Sequence, residues 1–268
     1  MSKIVLNNGK SVEKPKSFIW VYIVVCILLV ILAMNITNFD IFLLIDNLEK
    51  GGSYIAKVFD FSNPEKVVNG LIKIQPEMLQ TLSMAVVGTI FGMVFAFPVS
   101  LYCSINLFNN PFVWIVRNVL NVFRTIPIIV IAMVCKILLG ATPFSATIAI
   151  FITTFLIAIK MVYEYVETLN LSSFESALAL GCSKIQAIRY TIIPQIKLFY
   201  LSTSLYIFDM NVRTSSIIGL VGGAGIGMML NDALYGVNTY LGGLILIELF
   251  IIIFVIDFVT KNIRKRLS

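Results

Sequence analysis

The chain has 268 residues, of which 59% are hydrophobic and only 13% charged, and its formal net charge is +6. This composition lies far outside the soluble globular range and marks an integral membrane protein. It excludes a soluble enzyme, and the positive balance reads as basic loops at the cytoplasmic face rather than as a nucleic-acid footprint. A chain this long holds about five to seven spans of roughly 20 apolar residues each, in one membrane domain.

Residues 17–39 form the first charge-free run, preceded by Lys3, Lys10, Lys14 and Lys16. The run exceeds the apolar core of a signal peptide and no small-x-small cleavage site follows, so an uncleaved first helix is expected. Residues 40–77 mix Asp, Glu, Lys, Gly and Pro with short apolar pieces and read as a soluble-facing connection. Residues 78–116 carry no charge, with Pro98 inside and the turn signal "NNP" at 109–111, which ends a second span near Ile105. Further spans are expected at 125–142, 144–160, 198–219 and 240–260, giving six. The expected divisions are a tail at 1–17, a first helix and extracytoplasmic segment at 18–77, a transmembrane domain at 78–262 containing a cytoplasmic loop at 161–197, and a tail at 263–268.

With the N-terminus inside, the cytoplasmic pieces also collect Arg117, Arg124, Lys160, Lys184, Arg189, Lys197, Lys261, Arg264, Lys265 and Arg266. The other side has only Lys50, Lys57, Lys66 and Lys73. Both termini are therefore expected in the cytoplasm.

The loop at 161–197 contains "ESALALGCSKIQAIRYTIIPQ", residues 175–195, whose pattern is that of two short helices. Ser172 and Glu175 have the spacing of a capping box, Gly181 can take the left-handed conformation that ends a helix, Ser183 and Gln186 repeat the box, and Pro194 is expected to stop the second helix. The segment is either a connector or a functional device. Its length and internal structure favour the second, because connections in compact proteins are usually about two to eight residues.

Glu175, Ser176 and Ala177, then Gly181, and Pro194 thirteen positions on, resemble the "EAA" loop of ABC importer permeases. Ser176 stands where Ala is usual, and Thr191 where Ile is common. "YIFDMNVRTSSIIGLVGGAGIG" at 206–227 resembles the phosphonate-type permeases of that group, with Asp209, Asn211 and Arg213 at the acidic and Asn-x-Arg positions and Asp209 where Glu is usual. "RTIP" at 124–127 and "KMVYEYVE" at 160–167 are similar as well. The likeness covers roughly residues 76–268.

The resemblance implies an all-α polytopic fold of the type I (MetI-like) importer class, with coupling helices that seat on an ATPase subunit through Glu175, Ala177, Gly181 and Pro194. It implies a homodimer in a bacterial plasma membrane, working with two ATP-binding subunits and an extracytoplasmic solute-binding protein, surrounded by lipid. Neither a cofactor nor nucleic acid is expected. The substrate class implied is a phosphonate or related phosphorus oxyanion, with Arg213, Asn211, Asp209, Thr214 and Ser215 as pathway candidates. Arg213 and Asp209, four residues apart, also read as an ion pair holding the span in register.

Enzymatic readings find little. The chain has no His, which removes imidazole bases and H-E-x-x-H metal sites, and no G-x-x-x-x-G-K-[ST], so it does not itself cradle nucleotide phosphates. Cys26, Cys103, Cys135 and Cys182 lack C-x-x-C spacing and are expected as free thiols. One alternative is an ABC permease for another small solute; the other is an ion-coupled secondary transporter, with Lys136, Asp209, Arg213, Glu248 and Asp257 as relay groups. The latter leaves the paired helices at 172–194 unexplained. The Gly-rich run at 219–227 reads either as an outer loop or as part of the pathway's mouth.

Overall fold

The computed structural model describes residues 18–222, 224–236 and 238–267, with a strand pair at 3–5 and 11–13; for the strand pair and for residues 44 and 222 the backbone alone is described. The chain forms two compact units, Met1–Ile55 and Ala56–Ser268.

In the first unit β1 (Lys3–Val5) pairs antiparallel with β2 (Ser11–Glu13), Ile4 opposite Val12. Helix α1 (Ile19–Ile36) is apolar all round and buries none of its 18 residues. At about 27 Å it nearly matches the ~30 Å hydrocarbon core. Asp40 then caps α2 (Ile41–Asp46), its carboxylate accepting from the backbone N–H groups of Phe42 and Leu43. Helix α3 (Leu48–Val58) is amphipathic, with Glu49, Lys50, Ser53 and Lys57 on one side and Leu48, Ile55 and Val58 on the other.

The second unit starts its main helix earlier than expected. Asn63 caps α4 (Pro64–Cys103), a helix of 40 residues with Pro64 in its first turn. Residues 64–77, expected in a soluble-facing connection, are helical because Ile74 and Met78 are buried with Leu241, Leu244 and Ile245. The expected span at 125–142 is also revised. Helices α5 (Pro111–Arg124) and α6 (Ile128–Leu139) meet at 88°. At about 18 Å, α6 is too short to cross by itself. Pro127 sets the break by disfavouring helical backbone at Ile126.

Helix α7 (Pro143–Glu167) is capped by Thr142. Then come α8 (Ser172–Ala179), α9 (Lys184–Ala187), a π-helical turn over Ile188–Ile192, α10 (Ile193–Gly222), α11 (Gly225–Tyr235) and α12 (Thr239–Leu267). Among the described residues four helices are long and apolar enough to cross a membrane, and up to six spans result if α5 with α6 and α10 with α11 each count as one. The Gly-rich run is therefore the end of α10 and the start of α11, meeting at 54°. Gly223 lies outside the described residues.

Helices α4 and α7 form the central pair. A Cβ on Gly92 would stand 2.5 Å from Thr154 Cγ2, and one on Gly88 would stand 2.6 Å from Ile150 Cγ2. Small residues are what let helices associate in lipid, where close packing takes over much of the role that water plays for soluble bundles.

Candidate functional site

The loop at 161–197 is held together by its own caps. Gly181 has φ +89, the Cys182 N–H donates to Ala177 O at 3.1 Å and the Gly181 N–H to Leu178 O at 3.0 Å, so α8 closes with a Schellman motif. The box at α9 is complete, Ser183 and Gln186 each accepting from the other's backbone N–H.

Two expectations fail here. Ser172 already lies inside α8, and its N–H donates to Asn170 Oδ1 at 2.9 Å, so Asn170 replaces the Ser172–Glu175 box. Pro194 does not stop the second helix. It is the second residue of α10, and the π turn just before it shifts the hydrogen-bond register where the proline has no donor to give. The second helix of the pair therefore runs unbroken into a long span.

One face of the pair is fixed to the bundle. Phe174, Ile188, Ile192 and Ile196 are buried with Leu101, Leu107, Val162 and Val166. Tyr165 stacks on Phe199 at 3.7 Å, and Lys184 Nζ sits 4.1 Å from the Phe108 ring centre. Beside them Arg117 bonds Glu167 at 2.6 Å and lies 4.1 Å from the Tyr163 ring centre, while Glu167 also accepts the Ile105 N–H at 2.9 Å.

Other large side chains of the segment are bare. Leu180, Ile185 and Tyr190 are 86%, 78% and 70% exposed. Glu175, Gly181 and Pro194 are exposed as well, and Ala177 is half-buried. The sequence reading passed over Leu180, Ile185 and Tyr190. Their signal was three large apolar side chains next to the caps of a loop assigned to the cytoplasm.

The five pathway candidates occupy two settings. Asn211, 2% exposed, donates from Nδ2 to Thr89 Oγ1 at 2.8 Å and Thr154 Oγ1 at 2.7 Å, binding α10 to both central helices. Ser215 is buried and donates to Val212 O at 2.8 Å; half-buried Thr214 donates to Met210 O at 2.8 Å. Asp209 is 5% exposed and pairs with Arg213, whose half-exposed side chain also lies 3.6 Å from Asp257 on α12. Asp257 makes this a three-residue group rather than an isolated pair.

Elsewhere in the unit, Lys136 Nζ donates to Val221 O at 2.9 Å, and the Ile226 N–H donates to Thr81 Oγ1 at 2.8 Å. Gln75 donates to Glu248 at 2.6 Å. A cavity of about 410 Å³ between α4, α11 and the start of α12 is lined by Lys73, Glu77, Asp232 and Asn238 among others. Among the described residues no three His, Cys, Asp or Glu side chains are grouped to hold a metal.

Residues 88–268 match the family described as "binding-protein-dependent transport system inner membrane component". The chain is similar to "Phosphate-import permease protein PhnE" of Mycolicibacterium smegmatis, 31% identical over 189 residues, which cover 70% of this chain and 36% of that protein. It is also similar to HtxC of Stutzerimonas stutzeri, provisionally named a phosphite transport system permease protein, 30% identical over 215 residues, 79% of this chain and 74% of that one. Thus the chain spans about a third of the first relative's length and about three quarters of the second's. Among solved structures, a chain of the inward-facing MetNI methionine ABC transporter superposes with TM-score 0.65 at 21% identity, over 73% of this chain and 96% of that one. The fold is the all-α MetI-like permease fold.

Proposed function

We propose a function from the premise that this chain belongs to the binding-protein-dependent transport system inner membrane component family: it is the permease subunit of an ABC importer for a phosphonate or related phosphorus oxyanion. The names of its relatives support that substrate class. Two copies form the path in the plasma membrane with both termini in the cytoplasm, two separate ATP-binding subunits drive it, and an extracytoplasmic binding protein delivers solute.

The observation that carries this reading is the pair α8–α9, fixed to the bundle and carrying bare apolar side chains. Leu180, Ile185 and Tyr190 form a surface for a partner protein, since exposed aromatic and aliphatic anchors are what a docking cleft desolvates. Because α9 continues into α10, a displacement of the pair is delivered directly to a span. ATP-driven closure of the partner subunits pushes the two pairs together, and the spans then open outward to accept solute. The polar cavity beside α11 lies at the mouth, and the Asp209–Arg213–Asp257 group lies along the path.

Cys182, exposed between α8 and α9, reports sidedness. An impermeant thiol reagent is expected to label it from the cytoplasmic side only, and less readily once the ATP-binding subunits are bound. Labelling from outside intact cells would overturn the topology and with it the coupling role.

A further inference from the structure

Lys136 and Arg213 both stand in apolar helices of the second unit, and their surroundings differ. Arg213 faces the carboxylates of Asp209 and Asp257, so its charge is already answered. Lys136 faces none: among the described residues its one hydrogen bond goes to the carbonyl of Val221, and no ion pair includes it. Its helix neighbours Ala132 and Cys135 are buried against Met84, Ala146, Ile150 and Ile218.

Lys136 stands in the last turn of α6, and an ionisable residue within a spanning segment is commonly tied to function. A snorkelling lysine carries its ammonium past the end of its own helix into water. Lys136 instead turns onto α10, one residue before Gly222, where the chain bends into α11. One carbonyl uses one of three ammonium donors. Among the described residues, two N–H groups and a full positive charge are left without a counter-ion, beside the end of α10.

We infer that Lys136, rather than Arg213, is the residue that holds the phosphorus oxyanion as it passes the α10–α11 break. This rests on the phosphonate reading above. The passing anion takes the two spare N–H groups as charge-assisted hydrogen bonds. A single compact ammonium, unlike a guanidinium fork, grips without bidentate geometry, which suits a contact that must release. The plain competitor is a helix cap, in which the lysine only neutralises the negative end of α10.

The test compares Lys136→Arg, Lys136→Gln and Lys136→Met in proteoliposomes containing the full complex, with labelled methylphosphonate, phosphite and phosphate as probes. Glutamine can still donate to Val221 O but carries no charge. Uptake by the Gln variant is expected to fall by about tenfold or more, because both contacts to the anion lose their charge assistance. The Arg variant, whose fork releases the anion more slowly, falls between wild type and the Gln variant, and thermal stability stays near the wild-type value in both. Wild-type uptake by the Gln variant overturns the inference, and so does uptake that falls only in step with stability in Gln and Met alike. If the wild-type complex takes up none of the three probes, the functional reading itself has failed, whatever the variants do.

Discussion

Gly181→Val is expected to reduce solute-stimulated ATP hydrolysis by the assembled complex to about a tenth or less, while leaving the bundle's thermal stability unchanged. Gly181 sits at φ +89, where a side chain suffers whatever the space around it. A non-glycine residue in left-handed backbone costs roughly 1–2 kcal/mol, and β-branching worsens the clash. Nothing lies within 4 Å of a Cβ at this position, so the damage is to the backbone path and not to packing. Losing positive φ opens the Schellman closure and swings α9 away from α8, which breaks up the face carrying Leu180 and Ile185. The effect is graded: Gly181→Asn, which tolerates this conformation, stays near wild type, and Gly181→Ala falls between. Unchanged transport in the Val variant would make the segment a connector. Glu175→Arg, placing a positive charge at the positive start of α8, acts in the same direction.

Arg213→Met is expected to destabilise the bundle by stranding the Asp209 carboxylate, and the half-exposed guanidinium keeps the loss below the roughly 3–5 kcal/mol of a fully buried pair. Asp209 is 5% exposed, and without the guanidinium its carboxylate is left facing Asp257 across the helices. Removing both members, as Arg213→Met with Asp209→Leu, is expected to restore most of the loss, because no buried carboxylate is then stranded beside Asp257. A charge swap, Asp209→Arg with Arg213→Asp, is predicted to recover little: it sets a carboxylate at position 213 against Asp257. Thermal unfolding in detergent reads all three, and full recovery in the swap would reduce the group to a two-residue pair.

What was legible in the chain was local. Apolar runs located α1, α4, α7 and α12, since a span announces itself within its own 20 residues, and the Gly181 stop and the Ser183–Gln186 box lie within single turns. What was missed depended on distant partners. Residues 64–77 read as a polar connection because the helices they lean on arrive some 170 positions later, as with Gln75 and Glu248. Asp257 could not be assigned to Arg213, nor Lys136 to Val221, by any spacing rule, because separate helices bring them together. Pro194 misled for a different reason: the rule that proline ends helices holds for unbroken α-helical bonding, and the π turn at 188–192 supplies another register. The misplaced first cap came from equivalent side chains close in sequence, with Asn170 standing ready one turn-position ahead of Ser172.

The central claim is that this chain moves a phosphorus oxyanion only when partner subunits hydrolyse ATP. The direct measurement is uptake of labelled methylphosphonate and phosphite into proteoliposomes containing the chain, with its ATP-binding subunits and its solute-binding protein added or withheld. The account predicts accumulation that requires ATP and both partners, and none by the chain alone under a proton or sodium gradient. Gradient-driven uptake by the chain alone would contradict it and would make the intramembrane charges an ion-coupling relay instead.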